Sequence, residues 1–325
     1  MDKLLSISTF IYLFTVWMFV ISLATKKRYT DNISRILFII ATTAELIYFI
    51  WRWIESYRLG FGHIPLTNAF ESFVFFTLSI ALVVCILIKK IPSLAMLIIS
   101  LVILGILSYL SISPFNKEIE PLIPALKSNW LAIHALTSFL SYAAFFLAFI
   151  GGAMLLIKAK QNNASFFIGN ISFSVCVGLM LGFLLMKVWH TKSNTFIISF
   201  AIFSIAIFLL VYLNKNKLRQ LIPQEKTLKD FTLGSIYIGF PFLSLGIVTG
   251  SIWAKYAWGA YWSWDPKETW SLITWFIYII FLHFEIRGKS NYTLAVMSIV
   301  GFVAVIVTYI GVNFILPGLH SYGSG

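Results

Sequence analysis

The chain reads as long apolar runs separated by short polar punctuation. Ten such runs, at 4–24, 33–54, 70–88, 91–110, 130–157, 165–186, 195–213, 231–252, 269–286 and 292–315, approach the ~20 residues that a helix needs to cross a bilayer. They predict an all-α polytopic integral membrane protein of about ten transmembrane helices. The sixth and seventh runs are the weakest, because Gly169, Gly178 and Gly182 interrupt them; losing both together would leave the orientation of all the others unchanged. No basic segment precedes the first run and Lys26, Lys27 and Arg28 follow it, so it is expected to remain as a span rather than to be removed as a signal peptide. Between the runs no polar stretch is long enough for a separate soluble domain, which predicts one membrane domain over residues 1–325.

Charge adds an orientation to this picture. Of 325 residues 59% are hydrophobic and 11% charged, and the formal net charge is +12. Lys26, Lys27, Arg28 and Arg35, Lys89 and Lys90, Lys158 and Lys160, Lys215, Lys217, Arg219, Lys226 and Lys229, and Arg287 and Lys289 fall at alternate junctions. These are fifteen of the 24 Lys and Arg residues. The positive-inside rule makes that side cytoplasmic, with both termini on the outer side. Topology and anionic lipid headgroups thereby account for most of the positive charge, and no nucleic-acid partner is expected. Two cysteines, Cys85 and Cys176, sit in apolar runs without a Cys-x-x-Cys pair, which argues against a disulfide framework or a haem-attachment motif in the chain itself.

One stretch breaks the aliphatic pattern. "YWSWDPKETW", residues 261–270, combines four aromatic and three charged side chains, and residues 253–270 hold five of the eleven tryptophans. Trp253, Tyr256, Ala257, Ala260, Tyr261 and Trp264 recur at three- and four-residue spacing, which predicts one aromatic face on a short interfacial helix, with Trp258 and Trp262 on another face. Asp265, Pro266 and Glu268 read as N-cap, N1 and N3 of the ninth span. An aromatic belt at the membrane interface is the ordinary explanation of such residues. A belt, however, spreads its anchors over many spans, whereas these form one contiguous platform suited to a flat apolar ligand with polar edges.

Histidines narrow the choice of ligand. By the predicted topology His134 lies about one turn inside the outer end of the fifth span, His320 just beyond the tenth, and both reach the level of the platform. His283 is 14 residues beyond Thr269, ~21 Å inward at the helical rise. An ionisable group inside a membrane is costly and tends to serve function; His63 and His190, in loops, are expected to be structural. Two outer histidines beside an aromatic platform suggest opposed axial ligands of haem. Zinc would require a tetrahedral set with Cys or carboxylate ligands, which the sequence does not assemble.

"WGAYWSWDPKETW", with "GIVTGSIWAKYAWG" before it and "SLITWFIYIIFLH" after it, resembles the tryptophan-rich WWD domain of haem-handling proteins, most closely in the CcsA/ResC family of cytochrome c synthase subunits of the system II pathway. "GHIPLTNAFESFVF" at 62–75, the His134 segment and "GVNFILPGLHSYGSG" at the end share the likeness, which is weakest over 160–225. The resemblance implies a haem lyase subunit that, with a CcsB/ResB membrane partner and thiol-reducing proteins upstream, carries haem b to the outer face. There, two thiols of an apocytochrome c Cys-x-x-Cys-His add to two haem vinyl groups. It further implies that His134 and His320 ligate an external haem iron and His283 an inner one. Trp258, Trp262, Trp264, Asp265 and Trp270 would form the WWD core. The implied location is a bacterial cytoplasmic membrane or a thylakoid membrane, with the 253–270 region facing the periplasm or lumen.

A second inner ligand is not evident in the chain and is expected from CcsB. Arg52, Arg58, Lys255 and Lys267 are outward cations available either to haem propionates or to interfacial snorkelling. Two rival functions are a haem exporter or delivery protein of the CcmC kind without attachment activity, and a haem-b electron-transfer subunit. The first is disfavoured by the likeness outside the WWD region, the second because only His283 is deep.

Overall fold

The computed structural model describes residues 2–122, 126–158, 163–188 and 193–311. Over these residues the chain forms eleven α-helices: α1 Asp2–Thr25, α2 Arg28–Arg58, α3 Ala69–Leu87, α4 Ser93–Ile112, α5 Asn129–Lys158, α6 Asn163–Val188, α7 Ser193–Leu213, α8 Lys215–Leu221, α9 Glu225–Trp258, α10 Pro266–Ile286 and α11 Asn291–Ile306. A π-helical turn, Val307–Gly311, continues the last one. Each of the ten predicted runs coincides with a helix. Among the described residues, eight helices are long and apolar enough to cross a membrane, or nine if residues Ile198–Leu213 and α8, bent by 76°, count as one span. The difference from ten falls on α6 and α7, the glycine-interrupted runs. The protein is thus an all-α polytopic membrane protein.

Local chemistry sets the helix boundaries. Asn68 accepts a hydrogen bond from the Glu71 backbone N–H at 2.9 Å and starts α3. Ser290 starts α11 through the N–H of Thr293 at 3.3 Å. Side-chain oxygens of this kind satisfy donors that have no partner inside the helix.

Helix α5 is the centre of the bundle, packing against α9, α11, α6 and α3. From Ser141 to Ile157 it is buried on almost every side, as a helix that is apolar all round should be. Small residues at Ala143, Ala144, Ala148, Gly151, Gly152 and Ala153 let neighbouring backbones approach closely. At the edge, α1 and α2 pack together, α1 against α4 and α2 against α3. There the fully buried Glu45 of α2 accepts hydrogen bonds from the Tyr12 hydroxyl of α1 at 3.1 Å and the Thr77 hydroxyl of α3 at 2.6 Å, tying three helices at one carboxyl group.

The basic junctions gather at one end of the bundle. Arg35 donates to the carbonyls of Ile88 and Ile91 at the α3–α4 turn. Lys158 donates to the carbonyls of Arg219 and Ile222 at 2.7 and 2.8 Å, while Arg219 returns a bond to Ile157. At the opposite end Arg52 pairs with Glu71 at 2.6 Å, both buried, and donates to the Glu118 carbonyl at 3.1 Å. These bonds join α2 to α3 and to the 113–122 loop, and Glu71 also accepts from Thr67 of the 59–68 loop. Arg52 therefore completes a buried ion pair rather than waiting for a propionate: leaving Glu71 unpaired in that place would be strongly unfavourable. His63 joins the 59–68 and 113–122 loops, its ring nitrogens lying 3.1 Å from the Ile64 carbonyl and 2.9 Å from that of Glu120. It has the loop-structural role expected of it; His190 lies outside the described residues.

Candidate functional site

The tryptophan-rich segment lies at the Arg52 end, between α9 and α10. Its first part is the last turn of α9, which ends at Trp258. Gly259 follows at φ 83°, in the left-handed region, and closes the helix; glycine adopts this conformation without the steric cost of a side chain. The segment is therefore not a short interfacial helix as its spacing suggested. Trp253, Tyr256, Ala257 and Trp258 are helical, whereas Ala260, Tyr261, Trp262 and Trp264 lie in the loop before α10.

That loop is held by the start of α10. Asp265 is the N-cap, its side chain accepting from the Lys267 N–H at 3.1 Å. Glu268 completes the capping box by accepting from the Asp265 N–H at 3.3 Å, with Pro266 in the first turn. Glu268 also accepts from the Ser263 N–H at 2.7 Å, so one carboxylate ties two residues of the loop, Ser263 and Asp265. Asp265 is buried. Trp264, between these anchors, has φ 59°, an unusual conformation for a bulky side chain that persists only when its surroundings impose it.

Facing the loop, His134 of α5 lies against α9. Its Nδ1 is 2.7 Å from the Gly246 carbonyl. A carbonyl only accepts, so Nδ1 carries the proton in this bond. The ring stacks on the buried Trp253, centroids 6.5 Å apart and planes 13° from parallel. Trp258 meets Trp253 edge-on at 4.7 Å.

This close approach depends on two glycines. A Cβ added at Gly250 would lie 2.6 Å from His134 Nδ1, and one at Gly246 would lie 2.8 Å from the Ser138 hydroxyl. Between them they spell G-x-x-x-G in "GIVTG", the spacing by which membrane helices approach closely. That spacing was the sequence signal for the His134 contact.

His134, Trp253, Tyr261, Trp262, Lys267 and Glu268 line one narrow cleft with Ser138, Tyr142, Gly250, Ser271 and Thr308. Ser138, Tyr142, Ser271 and Thr308 were not singled out by sequence, since nothing local marks a polar residue as facing a particular space. Trp262 meets Trp264 edge-on at 5.8 Å, and Trp264, 69% exposed, points away from the cleft's lining. Trp270 follows in the first turns of α10, half-buried and outside the lining.

The structure thus brings His134 and Trp262 to one cleft, with Trp258 against Trp253 and Asp265 as the loop's anchor. His283 lies in the last turn of α10, at the opposite end from the cleft and exposed. His320 lies outside the described residues. Of the cations expected to be outward, Lys267 lines the cleft. Lys255 donates to the Gly259 carbonyl at 2.8 Å and sits over the Tyr261 ring. Arg58 lies 3.4 Å from Glu55.

Residues 66–320 match the family model described as cytochrome C assembly protein. A protein of Trieres chinensis called cytochrome c biogenesis protein CcsA is 34% identical over 321 residues, covering 96% of this chain and 94% of the relative. Proteins of the same name from Gloeobacter violaceus and Guillardia theta are 36% and 35% identical over 292 and 282 residues, each covering 84% of this chain and 80% and 79% of the relative. A match spanning both the α3 segment and the tryptophan-rich loop, together with relatives aligned over nearly the whole chain, has one reading: the chain belongs to the cytochrome c assembly protein family.

Proposed function

We propose that the chain acts in cytochrome c biogenesis by taking haem b across the membrane and presenting it for covalent attachment to the Cys-x-x-Cys-His of an apocytochrome c, together with a CcsB/ResB-type subunit. The reading rests on one observation above all. His134 is held by the Gly246 carbonyl through Nδ1, stacked on Trp253, and lines the cleft that Trp262 and Tyr261 also line.

The donor chemistry fits haem. A histidine whose second ring nitrogen is fixed by a carbonyl is the usual form of a metal-binding imidazole, and aromatic walls suit a flat apolar ring system. The fit is one of donors and exposed aromatic surface, since the cleft is too narrow to enclose a macrocycle. His134 would hold the iron, with His320 as the opposed ligand and Lys267 as the cation facing the anionic edge. Haem, as the substrate, supplies the two vinyl groups to which the thiol S–H bonds add, the sulfur going to one carbon and the proton to the other. The chain's own residues supply position: Gly246 fixes the imidazole's orientation, and Glu268 and Asp265 fix the loop that carries Trp262. Positioning of this kind accounts for large rate factors without an acid or base. The 1–325 chain works as one membrane domain, because the bonded loops at each end come from helices far apart in sequence.

Orientation follows from the clustered basic end, which the positive-inside rule assigns to the cytoplasm. Reporter fusions after Lys160 and Lys289 are expected to be active only as cytoplasmic reporters, and one after Gly325 only as an external reporter. A cytoplasmic C-terminus would separate His320 from the cleft and end the paired-ligand reading.

The function itself is tested by co-expression with CcsB and a Cys-x-x-Cys-His reporter, scored for covalent haem. Covalent product is expected, and His283→Ala is expected to lower the haem that copurifies with the complex at least about tenfold, because His283 marks the entry end. Haem release without covalent product would leave a delivery protein. Unchanged haem content and yield in His283→Ala would assign that residue to the surface of α10 alone.

A further inference from the structure

The basic end contains a cleft unrelated to the haem site. It lies between the α1–α2 turn, the start of α4 and α8, and its volume is about 330 Å³, within the ~300–1,000 Å³ of ordinary ligand pockets. Lys26, Lys27 and Arg28 line it consecutively. Elsewhere at this end Arg35, Lys158 and Arg219 have structural duties, each donating to a backbone carbonyl. The cleft's three cations make no ion pair among the described residues. Its acid, Asp31, is already engaged by Arg35 at 2.7 Å and by the Ser93 hydroxyl at 2.6 Å, and so does not neutralise them.

Two further features point to an anion. Ser22 lines the cleft, is 5% exposed and makes no side-chain hydrogen bond among the described residues. The hydroxyl is open to the cleft and can donate to a group bound there. Helix α2 begins at Arg28 with no side-chain cap from Lys27, so its first backbone N–H groups and its positive dipole end face the same region.

We propose that this cleft binds a phosphate group, with Lys26, Lys27 and Arg28 supplying charge, the Ser22 hydroxyl and the first turn of α2 supplying donors, and Gln220 of α8 closing the opposite wall. Charge and donors of this kind recognise a phosphate whether it is a lipid headgroup or a soluble ion. The site is independent of haem handling and stands or falls without it.

The test uses the full-length protein purified in neutral detergent and titrated with dioctanoylphosphatidylglycerol, dioctanoylphosphatidylcholine and inorganic phosphate. Saturable binding of the phosphatidylglycerol is expected, weakened roughly 100-fold in K26Q/K27Q/R28Q, since each basic residue contributes about fivefold. Those residues also direct membrane insertion, so Gln220→Glu provides a second variant that keeps them; the added negative charge is expected to weaken binding about fivefold. Inorganic phosphate that competes at millimolar concentration identifies a soluble phosphate as the ligand, and failure to compete identifies a lipid headgroup. Equal binding of the two lipids, or phosphatidylglycerol binding unchanged in Gln220→Glu, overturns the proposal.

Discussion

Replacing His134 by alanine is expected to reduce covalent cytochrome yield and haem retention at least about tenfold, the lower end of what loss of an oriented metal ligand costs, with protein abundance near that of the parent. The ring is half-buried and stacks on Trp253, so its loss should not empty the core around α5. The structure adds a second route to the same defect. A methyl group at Gly250 would come within 2.6 Å of His134 Nδ1, closer than van der Waals contact allows. Gly250→Ala must therefore swing the imidazole off the Gly246 carbonyl while leaving His134 in the sequence. Both variants are expected to alter the haem absorption spectrum of the complex in the same direction. A parental spectrum and yield in both would remove His134 from the list of iron ligands and reduce its bond to Gly246 to a helix-packing contact.

Converting Trp258, Trp262 and Trp264 together to phenylalanine is expected to lower covalent attachment ~100-fold, the size of effect a misplacement of ~1 Å can produce. Any one of the three changes should cost far less, because phenylalanine keeps most of the apolar body. The expectation of non-additivity comes from the contacts: Trp262 and Trp264 meet edge-on, and Trp258 supports Trp253, on which His134 stacks. One smaller ring can be accommodated by its neighbour; three cannot. Covalent yield normalised to protein abundance is the measurement. If the triple variant attaches haem normally, the segment serves only as an interfacial anchor above a capped helix.

The helices were legible because their cause is local. Apolar runs of span length report burial in lipid wherever they occur, and the Asp265–Pro266–Glu268 cap was readable because all its partners lie within a few residues of one another. The alternation of basic junctions was equally legible, since it depends only on which turn each residue occupies. The tryptophan segment was read correctly in content and incorrectly in shape. Its helical spacing continued across Gly259, and nothing in the spacing shows that the chain turns there at φ 83°.

Other features were beyond any local pattern. Arg52 looked like a free outward cation, and only folding placed it against Glu71, nineteen residues away, and against the Glu118 carbonyl. His134 could be proposed as a ligand from its position in α5, but the atom that orients it belongs to Gly246, 112 residues later. By itself the sequence determined the helical membrane architecture, the sorting of charge to alternate junctions and the identity of the aromatic loop, because lipid burial and capping act over one turn or one span. The tertiary structure alone decided which histidine nitrogen carries the proton, which cations are already paired and which remain without an acid at the α1–α2 turn. Those outcomes depend on the close approach of helices distant in sequence, which the G-x-x-x-G spacing of α9 permits but does not by itself direct to a partner.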